Sequence, residues 1–174
     1  MIKKATISLV CLIFLVSCDD RYDTINTCVA LPSPSTHQAD TIIKDSISGY
    51  YFSRLTQAAS VGLQCTYILP NDYRTDELEI VFSGRIRTNY VMTNANICVS
   101  TVDVDGKIIS WNGQLLRYYT TDINKWVPFK DSIHLKPESW NKPFHYINTF
   151  AFLGESAEEN ADFDSLHVQV KVKR

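Results

Sequence analysis

The chain has 174 residues, 45% of them hydrophobic and 21% charged, with five cysteines and a net charge of −2. That length supports one domain with a real core rather than two independently folding ones. The faintly acidic balance, without a basic stripe, gives no support to a nucleic-acid partner.

The N-terminus opens with Lys3 and Lys4, continues through an apolar-rich run from Ala5 to Val16, and closes on Leu15-Val16-Ser17-Cys18. About 12 such residues are too few to cross a hydrocarbon core of roughly 30 Å. The segment resembles the signal peptide of a bacterial lipoprotein. The resemblance implies that residues 1–17 are removed, and that Cys18 is diacylated and becomes the new N-terminus. It also implies a mature protein held at the cell envelope; the acidic pair Asp19-Asp20 fits inner-membrane retention under one host rule and a surface lipoprotein under another, and the outer membrane, on its periplasmic or surface face, is the expectation. Residues 18–45 are rich in Asp, Thr, Ser and Pro, and Leu31-Pro32-Ser33-Pro34-Ser35 can continue neither a helix nor a central strand. They read as the lipidated N-terminus and a flexible tether, with a first short strand near Thr41 to Ile43.

From Ser46 the chain reads as one β domain, residues 46–174. Leu78, Ile80, Phe82 and Ile86 share one parity while Glu79, Ser83, Arg85 and Arg87 take the other, the period of a strand with one dry face. Ile97 to Val104 repeats the pattern, and Asp105-Gly106 is a strong turn that returns the chain through Lys107 to Trp111. Asn112-Gly113 is a second such signal, so two adjacent hairpins are predicted. Pro128 predicts that the segment Trp126 to Leu135 holds that residue at an edge or an irregular point rather than deep in a ladder. His145 to Leu153 suits a central strand. In the last strand Leu166, Val168, Val170 and Val172 point one way and His167, Gln169, Lys171 and Lys173 the other. No capped amphipathic stretch is long enough for a substantial helix, and Ala157 to Asn160 offers one turn at most. Such a series predicts an all-β fold, an antiparallel β-sandwich or a barrel, with the Leu78, Phe82, Phe150 and Val168 sets in one core.

Removal of Cys11 and lipidation of Cys18 leave Cys28, Cys65 and Cys98. An oxidising envelope allows one disulfide among them, in a pairing that sequence does not choose, and buried free thiols are the alternative for Cys65 and Cys98. Their spacing lacks a zinc signature.

In order, Ser46-Ile47-Ser48-Gly49-Tyr50-Tyr51-Phe52, Leu78 to Arg87, Ile97 to Thr101, Trp126-Val127-Pro128-Phe129 and Phe163-Asp164-Ser165-Leu166-His167-Val168 resemble the galactose-binding-like jelly roll of many carbohydrate-binding modules. Ser165 stands where that group's terminal motif has a second acid. The resemblance implies a jelly-roll sandwich over residues 41–174 and a core position for Trp126. It also suggests a structural calcium, for which Asp164 with Asp162, or with the acidic stretch Asp40 to Asp45, are the candidate ligands, solvated or strand-capping acids being the competing role. Calcium wants six to eight oxygens, and no linear loop supplies them.

Sugar recognition needs flat apolar rings beside convergent hydrogen-bonding groups. Tyr90, Trp111, Asn112, Tyr118, Tyr119 and Trp140 lie in the turn-rich regions with that mixed character, and Arg85 and Arg87 offer planar donors on a wet parity. Packing is the competing role for every one of these rings. Catalysis finds little footing. Glu77, Glu79, Glu138, Glu155, Glu158 and Glu159 read mostly as solvated loop acids, the histidines lack ligand spacing, and a Gly-x-Ser-x-Gly elbow is absent. The first expectation is a non-catalytic, lipid-anchored module that binds polysaccharide. The second is a structural or assembly lipoprotein that contacts another envelope protein. Trp111 or Trp140 exposed beside Asn or Arg in a concavity favours the first, whereas buried rings with an apolar patch or open strand edge favour the second.

Overall fold

The computed structural model describes residues 22–33, 42–73, 76–136, 144–155 and 158–173. Ten strands run in chain order: β1 Tyr22–Ala30, β2 Ile42–Lys44, β3 Tyr51–Leu55, β4 Val61–Ile68, β5 Leu78–Thr88, β6 Ala95–Val102, β7 Ile108–Leu115, β8 Val127–Leu135, β9 Tyr146–Leu153 and β10 Ala161–Lys173. Among the described residues the one helical element is a single 3-10 turn, Asn71–Tyr73. The strands form two antiparallel sheets. One has the order β2-β3-β10-β5-β8 with β1 also paired to β10, and the other has the order β4-β9-β6-β7. The result is an all-β, jelly-roll-like sandwich.

Period-two alternation builds the core. Leu78, Ile80, Phe82 and Ile86 of β5 face inward beside Leu166, Val168, Val170 and Val172 of β10, all nearly or fully buried. Strand β10 is the spine of its sheet. It pairs with β5 throughout, with β3 at its start and with β1 along the rest. A bulge lies between Phe163 and Ser165. There Gly84 comes so close to β10 that an added Cβ would stand 2.3 Å from the Ser165 carbonyl oxygen. Pro128 lies near the start of edge strand β8, as expected.

Three sequence expectations change, and the cysteine pairing that the sequence left open is settled. Residues 22–30 are not tether: they form β1, stitched to β10 from Tyr22 opposite Lys173 to Ala30 opposite Leu166. Its Tyr, Thr, Ile and Val favour a strand, and its Asp and Asn had masked the alternation. Cys28 of β1 forms a disulfide with Cys65 of β4, leaving Cys98 free and buried. This bond ties the two sheets across a 37-residue separation, a loop for which chain entropy alone contributes about 4 kcal/mol. Asn112-Gly113 makes no turn and lies within β7; of the two predicted hairpins the one at Asp105-Gly106 forms, with Gly106 at φ +82°. Finally, β9 is central as predicted, yet Ile147, Thr149, Ala151 and Leu153 point inward while Phe150 faces out. Both parities of β9 carry apolar residues, so alternation had not identified its inner side.

Candidate functional site

A concavity lies on the outer face of the β1-β2-β3-β10-β5-β8 sheet. It is a cleft of about 620 Å³ lined by Leu31, Pro32, Asp45, Ser48, Gly49, Tyr50, Tyr51, Phe52, Arg85, Trp126 and Asp164. One wall is the β2–β3 hairpin. Its turn is held by Asp45, whose carboxylate accepts from the Ser48 hydroxyl at 2.6 Å and the Ile47 amide at 3.2 Å. These bonds, the Ser48 hydroxyl foremost, hold the Asp45 carboxyl below its usual range. Gly49 completes the turn at φ +75°. Tyr50 then projects with 77% of its surface exposed.

The floor is a layered stack of arginines and rings. Asp162 is opposite Arg54 of β3 on one side and Arg87 of β5 on the other. Its carboxylate accepts from Arg54 Nε at 2.7 Å and Nη2 at 2.9 Å, and from Arg87 Nη2 at 2.8 Å. That bond to Asp162 raises the Arg54 guanidinium above its ordinary value. Arg87 lies 4.9 Å from the Phe52 ring centre and 4.8 Å from that of Trp126, and Arg85 lies 5.7 Å from Trp126 while pairing with Asp164. Phe52 and Trp126 meet edge to face at 6.1 Å. Two carboxylates and three guanidiniums thus hold the rings in fixed orientation.

The residues singled out from sequence scatter. Arg85 and Arg87 meet at the cleft, Arg85 lining it and Arg87 behind its rings. Trp111 lies on the outer face of the other sheet, 51% exposed, edge-on to Phe150 at 5.8 Å and Phe152 at 5.5 Å. Asn112 follows it in the same strand and therefore takes the opposite face, so the two cannot grip one ligand together. Tyr118 is an exposed turn residue. Tyr119 donates to the Lys130 carbonyl at 2.6 Å and packs edge-on to Phe129, which makes it a strut between β7 and β8. Tyr90 donates to Glu158 at 3.2 Å. Trp140 and Cys18 lie outside the described residues.

Asp162 and Asp164 do not fit the calcium role. Their oxygens are engaged by Arg54, Arg87 and Arg85, and that much positive charge opposes a cation. Among the described residues no cluster of three metal-ligating side chains occurs. Sequence reasoning also missed Trp126, Tyr50, Tyr51 and Phe52 as a group. Trp126 packs against rings and arginines, as its type suggests, but on the outer face rather than between the sheets. Glu159, read as a solvated acid, is only 3% exposed and accepts from Thr93, the Asn94 amide and the Asn94 side chain.

No protein-family model and no curated sequence matches the chain. Solved structures match at a distance. The structure of infectious bursal disease virus Gt strain is 9% identical over 89% of this chain and 38% of its own, with a TM-score of 0.46. Dimeric latent PorU from Porphyromonas gingivalis is 12% identical over 87% of this chain and 13% of its own, with a TM-score of 0.41. A CBM4 structure is 8% identical over 84% of this chain and 94% of its own, again with a TM-score of 0.41. This chain spans about a third of the length of the viral chains it matches. These are likenesses of fold alone.

Proposed function

We propose that the protein is a non-catalytic glycan-binding module, anchored in the bacterial envelope through lipid on Cys18. The observation that carries the binding role is the cleft, in which Tyr50, Tyr51 and Trp126 offer apolar ring surface beside Arg85, Asp164 and Asp45. Pyranose rings present apolar C–H faces and a girdle of hydroxyls, and this mixture of flat carbon surface, planar donors and carboxylate acceptors suits both. The stacked floor means that little side-chain freedom is lost when a sugar settles on it. The anchor rests on the Lys3-to-Cys18 signature.

Glycan-array screening of the mature chain, followed by calorimetry on the hits, tests the reading. Trp126→Ala is expected to weaken binding at least about tenfold, the worth of one well-used aromatic contact. Tyr50→Ala, at a site too exposed to threaten folding, is expected to weaken it as well. Absence of any glycan ligand, or binding indifferent to both changes, overturns the reading. The assembly alternative has one observation in its favour. Val91, Met92, Tyr118 and Ile123 are exposed on two loops that are joined by the Met92 amide to the Thr120 carbonyl at 3.1 Å. Failure of the glycan screen would move the function to a protein partner at those loops.

A further inference from the structure

Strand β1 begins at Tyr22, four residues beyond Cys18. Fully extended, four residues reach at most about 14 Å. The strand cannot peel away to lengthen that reach, because it is paired with β10 along its whole course and its Cys28 is bonded to the other sheet. A lipid on Cys18 therefore holds one particular pole of the sandwich at the headgroups. That pole is set by register. Tyr22 lies opposite Lys173, and Leu78 lies opposite both Val172 and Leu135, so the start of β1, the end of β10 and the end of β8 meet there. Lys171, Lys173 and Lys136 lie at this end together with Glu77, Glu79, Asp23 and Asp76, and Lys171 and Lys173 pair with Glu79 and Glu77 at 3.4 and 3.5 Å, so the charge there is mixed and the short link to Cys18, rather than attraction, seats the pole. Tyr22 has the amphipathic ring favoured at such a boundary.

Strand β10 leads away from this pole. At about 3.3 Å per residue, Asp164 in the cleft wall lies about 30 Å up the strand from Lys173, and Ala161 about 40 Å. The loop after β5 lies beyond Ala161, since Thr88 is opposite that residue. We propose that the module stands end-on upon the bilayer, with its Tyr22–Lys173 pole seated on lipid headgroups and its cleft and apolar loops presented outward. This inference rests on the lipid-anchor reading.

The test uses the full lipidated chain in vesicles that contain phosphatidylglycerol and a lipid with a nitroxide on its headgroup. A fluorophore is placed through Lys136→Cys or Val91→Cys in a Cys98→Ser background. The fluorophore at 136 is expected to lose most of its emission and the one at 91 to keep nearly all of it. A Gly/Ser insertion of about 20 residues ahead of Tyr22, with a mean reach of about 25 Å, is expected to erase the difference. Equal quenching at both sites means that the module lies flat, and no quenching at either means that it stands off; each result overturns the proposal. The anchor is judged separately by flotation. A processed chain that fails to float with vesicles, or a Cys18→Ser chain that still floats, removes the lipid reading itself.

Discussion

The two outer faces of this sandwich are built from different chemistry. Strands β4, β6, β7 and β9 contain no charged or histidine residue at all, whereas every strand of the opposite sheet contributes charge: Asp23, Lys44, Arg54, Glu79, Lys130 and Asp162 are examples from its six strands. On the uncharged face, order comes from ring edges and amides. Trp111 lies against Phe150 and Phe152, and Thr66 donates to Asn148 at 2.9 Å. On the charged face, ion pairs run as ladders from Lys173 and Glu77 at one end to Arg54, Asp162 and Arg87 at the other. The comparison teaches where a concave site can form. The cleft lies on the face where guanidiniums cover the rings, Arg87 against both Phe52 and Trp126, while on the other face Trp111 meets Phe150 and Phe152 with no charged side chain in its strands to line a polar wall.

The change expected to break the charged face most severely is Asp162→Ala. Asp162 is 2% exposed and its removal leaves Arg54 and Arg87 facing each other without their shared acceptor. Loss of one partner from a desolvated charge cluster costs several kcal/mol, and the partial exposure of both arginines reduces that to about 2–4 kcal/mol. Urea unfolding monitored by tryptophan fluorescence measures it. On the uncharged face Asn148→Ala, which removes an exposed hydrogen bond, is expected to cost less than about 1 kcal/mol by the same measurement. Equal losses at the two positions would mean that the arginine stack is surface decoration and does not hold the cleft.

Where charge and hydrophobicity alternate, the sequence was readable. From Leu78 to Arg87 and from Ser165 to Lys173, strands β5 and β10 carry polar residues on one parity only, so their inner faces follow from the pattern, as does the sandwich they imply. Strand β9 has Ile147 and Ala151 on one parity and Phe150 and Phe152 on the other, and only the neighbouring Trp111 explains why the phenylalanines are outside. The cleft was less legible still. Arg85 and Arg87 were visible as outward donors, but their partners Phe52, Trp126 and Asp162 come from strands far apart in sequence, brought together by register that no local pattern encodes. The same holds for Cys28 and Cys65, whose pairing depends on β1 joining the sheet.

Trp111→Ala sharpens the contrast from the uncharged side, with a smaller expected effect. Half of the indole is already in water, so its truncation is expected to cost about 1–2 kcal/mol, well below the loss for a buried aromatic. Cleft binding is expected to stay unchanged, because Trp111 belongs to the other sheet. The informative readout is Cys98. Its thiol is on the same outer face, opposite Gly113 in β7 and Phe150 in β9, yet it is only 2% exposed. Burial pushes the thiol above its usual value, against a smaller lowering by its contact with Trp111. Without the indole, solvent reaches the sulfur and the thiolate fraction rises. Alkylation by iodoacetamide at pH 8 is then expected to quicken at least about tenfold, the equivalent of one pH unit in thiolate population. Followed by mass spectrometry under native conditions, an unchanged rate would show that the ring is not the cover, and that the uncharged face is closed by its backbone and phenylalanines alone.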